Sequence, residues 1–86
     1  MAIIFADDDE FIRDVAESVL SSLTEDILLA EDGQEAINHL ASKGGNVKLV
    51  VLDLNMPKMD GYQAVKSIRA KGNKVTCIAF SAGIQL

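Results

Sequence analysis

The chain predicts an α/β fold built on a parallel sheet, and three features carry that prediction. Short aliphatic runs alternate with stretches of helical spacing from one end of the sequence to the other. The run Leu49-Val50-Val51-Leu52 is apolar without a break, as a strand covered on both faces must be. Helices of this length between strands imply right-handed crossovers, which place successive strands parallel.

Ile3 to Ala6 forms the first strand; the run Ala2-Ile3-Ile4-Phe5-Ala6 stops abruptly at Asp7-Asp8-Asp9. From Asp9 the spacing turns helical, with Ile12, Val15, Ala16, Val19, Leu20 and Leu23 on one face. Asp8 or Asp9 caps this helix, and Glu10 in its first turn complements the helix dipole. Ile27 to Ala30 is a short second strand. Asp32-Gly33 turns the chain into a second helix carrying Ala36, Ile37 and Leu40, which Gly44-Gly45-Asn46 terminates. Leu49 to Leu52 is the third strand and ends in Asp53. Pro57 and Asp60-Gly61 force a loop before the third helix, about Tyr62 to Lys71, with Val65 and Ile68 on its buried side. Gly72-Asn73 ends it, and Val75 to Phe80 is the fourth strand. No repeat, linker or low-complexity segment interrupts the pattern.

Composition narrows the function. The 86 residues make one small domain, residues 1–86, and 49% hydrophobic with only 5% aromatic suits aliphatic strands. A net charge of −5 argues against nucleic-acid binding by this segment, which would need a basic face. No apolar run approaches the ~20 residues of a spanning helix, and Asp7 interrupts the N-terminal run before it reaches signal-peptide length. Cys77 is the lone cysteine, so no internal disulfide forms; it lies among Val75, Ile78 and Phe80 as a small buried hydrophobe. A reducing cytoplasm fits these features.

Strand ends in a parallel α/β sheet are where ligands sit, and those of the first and third strands here carry Asp7-Asp8-Asp9 and Asp53. Carboxylates sharing one pocket repel, and a hard divalent cation with oxygen ligands relieves that repulsion. Taken alone, Asp7-Asp8-Asp9 is more often a helix cap than a metal site. A calcium loop at Asp53-Leu54-Asn55 fails because Pro57 occupies a ligand position and Gly61 comes too late. A haloacid-dehalogenase-type phosphotransferase would want a second acid where Asn55 stands. His39 reads as a surface or boundary residue and Lys58 as a solvated loop residue.

The four landmarks together resemble the receiver domain of bacterial two-component response regulators. They are Asp7-Asp8 after the first strand, Asp53 after the third, Met56-Pro57-Lys58-Met59-Asp60-Gly61 behind it, and Phe80-Ser81-Ala82-Gly83 after the fourth. The resemblance spans Ile3 to Gly83. It implies a flavodoxin-like sheet of order 2-1-3-4, with the first and third strands flanking the switch point. It also implies Mg2+ held by Asp7, Asp8, Asp53 and the backbone carbonyl of Asn55. In that frame Asp53 is the phosphoacceptor, Ser81 the hydroxyl that senses the phosphoryl group, and the donor a sensor histidine kinase or phosphotransfer protein.

Receivers of this type continue through a fourth helix, a fifth strand bearing an essential Lys, and a fifth helix. The sequence supplies none of these, and Lys74 lies at the wrong end of the fourth strand to substitute. The expectation is a truncated receiver with a metal pocket largely present and impaired phosphorylation, and no enzyme acting on other molecules. Its exposed fourth strand should be covered in a homodimer or higher oligomer. The alternative is a receiver-derived interaction or oligomerisation module that is not phosphorylated.

Overall fold

The computed structural model describes residues 1–81. Ala82 and Gly83 of the fourth landmark therefore lie outside the described residues. Four strands alternate with three α-helices: β1 Ala2–Ala6, α1 Glu10–Leu20, β2 Asp26–Ala30, α2 Gly33–Lys43, β3 Val47–Asp53, α3 Gly61–Ala70 and β4 Thr76–Phe80. A 3-10 turn over Gly44–Asn46 links α2 to β3. All three strand pairings are parallel, and the order is β2-β1-β3-β4, a flavodoxin-like arrangement.

The core lies on one face of the sheet. Ile4 and Ala6 of β1 and Val50 and Leu52 of β3 pack there against Ala36, Ile37 and Leu40 of α2 and Ala64 and Ile68 of α3. Burying each Val, Leu or Ile side chain in such a place contributes about 1.5–3 kcal/mol. Helix α3 approaches the sheet through its smallest residues. A Cβ at Gly61 would sit 2.5 Å from the carbonyl oxygen of Asp53, so only glycine permits the helix to start there. That close start turns Gly61, Ala64 and Ile68 inward, and Val65, half-buried, packs against the same core, as expected.

The opposite face is covered only in part. The Asp9 carboxylate caps α1, accepting from the amides of Phe11 at 2.8 Å and Ile12 at 3.4 Å. The helix ends at Leu20, three residues short of the expected face, because Leu23 N–H bonds to Leu20 O at 2.8 Å and closes a tighter turn. The hydroxyls of Ser21 and Ser22 reinforce that end by donating to the carbonyls of Ser18 and Val19. Leu23 consequently projects beyond the helix and is exposed. No residue of α1 is buried, in contrast to α2 and α3. Between α1 and the sheet runs an apolar trough of about 310 Å³ lined by Phe5, Ile12, Val15, Val19 and Val51.

β1, β2 and β3 extend further than the apolar runs alone indicate, whereas β4 starts at Thr76, one residue after the expected Val75. β3 begins at Val47 rather than Leu49, its register against β1 shifting between Ala2 and Ile3, and it takes in Asp53. Cys77 is half-buried rather than fully covered, because β4 is the outer strand of the sheet formed by the described residues.

Candidate functional site

The site is built where β1 and β3 end side by side. Ala6 pairs with Leu52, so the next residues, Asp7 just past β1 and Asp53 as the last residue of β3, stand side by side at one end of the sheet. Asp7, Asp8 and Asp53 each offer a carboxylate oxygen, and these oxygens lie within 4.8 Å of one another. Asp7 is 2% exposed and Asp53 5%, while Asp8 faces solvent. A pocket with two buried acids and one exposed acid is closed on the protein side and open toward water.

Local hydrogen bonds aim these groups. Asp7 Oδ1 accepts from Asp9 N–H at 2.9 Å, and Asp53 Oδ1 accepts from Asn55 N–H at 3.1 Å. The Arg13 guanidinium donates to the Asp7 backbone carbonyl at 2.9 Å, fixing the β1–α1 turn without neutralising the carboxylate. Asp7 Oδ2 is buried with no hydrogen-bond partner among the described residues. Burial pushes the Asp7 carboxyl above its ordinary value of 3.8, and the charges of Asp53 and Asp8 push it the same way; the Asp9 N–H opposes them. Neither ion pair among the described residues, Lys43–Asp26 or Lys58–Asp32, reaches this pocket.

An orphaned, buried carboxylate oxygen beside two further acids is an unfavourable arrangement in the absence of a cation. The donors are all hard oxygens, one side is open to water, and such a set suits a small divalent ion. Asn55 and Ser81 sit at the mouth of the pocket, with Asn55 Nδ2 donating to Ser81 Oγ at 3.4 Å. Leu54 N–H bonds to Phe80 O at 2.7 Å, holding the segment after β3 against the segment after β4. Every site residue expected from sequence that falls within residues 1–81 thus gathers at one end of the sheet.

Two features escape the sequence pattern. Lys58 has φ +64°, the left-handed region uncommon for a non-glycine residue, and its Nζ lies 3.8 Å from Asp32. His39 is half-buried, its Nε2 2.9 Å from the Leu29 carbonyl on the outer strand β2, a structural tie rather than a ligand position. Around Cys77, burial pushes the thiol up and the Arg69 charge opposes it.

The fold and the acidic switch point define a phosphorelay-type signalling module, and comparison with known proteins agrees. Residues 3–86 match the profile of the response regulator receiver domain, and the chain belongs to that family. It is 38% identical over 72 residues to a chemotaxis protein CheY homolog of Campylobacter jejuni, covering 83% of this chain and 55% of that protein. It is 39% identical over 71 residues to the probable transcriptional regulator ycf27 of Porphyridium aerugineum, covering 83% of this chain and 29% of that protein. The chain thus spans about half, or less, of the length of these relatives.

Among solved structures, response regulator TrrA of Thermotoga maritima in complex with Mg(2+)-BeF is 33% identical, with a TM-score of 0.83 over 94% of this chain and 69% of that one. TrrA in complex with the histidine kinase ThkA gives a TM-score of 0.82 at 31% identity, over 98% of this chain and 71% of that one.

Proposed function

We propose that this single domain is a phosphoacceptor receiver whose Asp53 carboxylate takes a phosphoryl group in a Mg2+-dependent reaction. The observation that carries the reading is the convergence of Asp7, Asp8 and Asp53 with Asp7 Oδ2 buried and unpartnered. Asp7, Asp8, Asp53 and the Asn55 backbone carbonyl are the residues that would hold the ion. When bound, Mg2+ supplies charge neutralisation for the transferring phosphoryl oxygens.

The chain's own residues do the rest. Asp53, at the end of β3 and held by the Asn55 amide, presents one oxygen as the nucleophile. Its attack on phosphorus forms a P–O bond as the P–N bond of a donor phosphohistidine breaks, and the imidazole keeps the electron pair. Ser81, now joined to Asn55, is the hydroxyl positioned to turn to the new phosphoryl group. The half-open pocket, with Asp8 facing solvent, admits a donor from solution. A histidine kinase or phosphotransfer protein is the matching donor; TrrA, a similar protein, is found in complex with one.

No helix among the described residues is long and apolar enough to cross a membrane, and the lone Cys77 needs no oxidising compartment. Both support a cytoplasmic setting.

A second copy of the chain is the occupant best suited to the uncovered face of α1 and β4. Phe11, Val15, Val19 and Ile78 are exposed there. An antiparallel pair of α1 helices would bring the acidic start of one, Asp9, Glu10 and Asp14, toward exposed Lys48 and Lys74 at the N-terminal ends of β3 and β4 of the other. A pairing module that is never phosphorylated is the competing reading, and this apolar face is the observation that favours it.

Incubation with Mg2+ and acetyl phosphate, followed by intact mass spectrometry, tests the proposal. One added phosphoryl group, absent in Asp53→Asn and in chelator, is expected. An unmodified chain that still forms a stable dimer in light scattering would select the pairing module.

A further inference from the structure

The segment that carries Asn55 is not supported by its own strand alone. The turn before α2 reaches across and holds it. Gly33 N–H donates to Met59 O at 2.8 Å, and Met59 N–H folds back to Pro57 O at 2.7 Å. A Cβ on Gly33 would stand 2.5 Å from that same Met59 oxygen and 2.9 Å from Met59 Cγ, so the two backbones touch with no room between them. Asp32 is buried and serves both sides: Oδ1 caps α2 by accepting from Glu35 N–H at 2.8 Å, and Oδ2 lies 3.8 Å from Lys58 Nζ. Glu35 returns the tie by accepting from Glu31 N–H at 2.9 Å. At the far end of the same loop, Gly61 presses on the Asp53 carbonyl.

From these contacts we infer that the Asp32-Gly33 turn is a latch that positions the Asn55 carbonyl for the cation. Gly33 is the positioning residue, acting through Met59. The loop from Leu54 to Asp60 is pinned at its base by Gly61 against Asp53 and at its crest by Gly33 against Met59. Lys58, in the left-handed region, lies between these pins. The Lys58 ammonium is largely solvent-exposed, so its ion pair contributes little; the Gly33–Met59 backbone contact holds the crest, and Leu54 N–H to Phe80 O, at 2.7 Å, holds the start of the loop. The inference rests on the metal site proposed above and names what aligns it.

The test compares Gly33→Ala with Gly45→Ala, where an added Cβ meets nothing within 4 Å. In the metal-free, 15N-labelled chain, Gly33→Ala is expected to shift the amide resonances of Asn55 and Met59, and Gly45→Ala to leave them in place. Titration with MgCl2 is then expected to show about tenfold weaker binding for Gly33→Ala and unchanged binding for Gly45→Ala, the usual scale for loss of a ligand's support. Should Gly33→Ala not fold, hydrogen exchange of the Gly33 amide is followed in the wild-type chain, and MgCl2 is expected to slow it more than it slows the Gly45 amide. A folded Gly33→Ala with the Asn55 amide and Mg2+ affinity both unmoved, or in its place a wild-type Gly33 amide whose exchange ignores Mg2+ while the chain binds it, overturns the latch. Wild-type chain that ignores Mg2+ while the Asn55 amide still shifts in the variant would sink the metal reading and leave the mechanical link standing.

Discussion

The two faces of the sheet use the same kinds of side chain to different effect. On one, Ile4, Val50 and Leu52 are sealed by α2 and α3; on the other, α1 lies loosely and buries none of its own residues. Helix α1 is nonetheless plainly amphipathic, with Ile12, Val15, Ala16 and Val19 in helical spacing. Amphipathicity therefore announces which side of a helix seeks cover, and the neighbouring elements decide whether cover is found. Stability resides on the α2–α3 face, while the acids of the site stand at the boundary between the two.

The widest contrast is in the cost of trimming. Ile4→Ala or Leu52→Ala removes a fully buried side chain and is expected to cost about 2–5 kcal/mol in urea unfolding. Val19→Ala, 64% exposed, is expected to stay within about 0.5 kcal/mol. A large loss at Val19 in dilute solution would mean that the α1 face is already covered by a second copy, and it should then depend on protein concentration.

Caps offer a smaller contrast of the same kind. Asp9→Ala at the exposed start of α1 is expected to cost about 1 kcal/mol. Asp32→Ala, at a buried cap that also faces the site loop, should cost more than Asp9→Ala. Equal losses in thermal melts would show that the two faces support their helices alike.

The smallest effect is a pH dependence. The Asp7 carboxyl titrates above 3.8 in the folded chain because burial, then Asp53 and Asp8, disfavour its charge. Its contribution to stability is therefore fully present below the unfolded value and is lost as pH rises through the raised folded value. In chelator, wild type should lose stability relative to Asp7→Asn across that window as pH increases. Parallel curves for the two chains would show that Asp7 is not under strain.

Much of this arrangement was legible in the residues because each carboxylate ends an apolar run. A strand that stops at Asp7 or Asp53 places its charge at the sheet's edge whatever the rest of the chain does. The parallel order needed the resemblance as well, since periodicity carries no information on which strand lies beside which. Strand lengths were under-read at Val47 and Lys48, where a shift of register lets pairing continue past the apolar run. Val65 and Ile68 lie on the buried side of α3 as their spacing indicates, while the close contact of Gly61 with Asp53, a tertiary event, adds Ala64 to that side. Neither the left-handed Lys58 nor the Gly33–Met59 contact leaves a local signature, because each depends on two loops far apart in sequence.

The acids of the pocket should reveal their purpose most directly in thermal melts of wild type and Asp53→Asn at neutral pH, with and without Mg2+. Removing one charge should raise the metal-free midpoint, while adding Mg2+ should stabilise wild type alone, by about 2.7 kcal/mol at a hundredfold excess over its dissociation constant. A wild type indifferent to Mg2+, with Asp53→Asn melting lower in chelator, would contradict a pocket of mutually repelling carboxylates built to hold a cation.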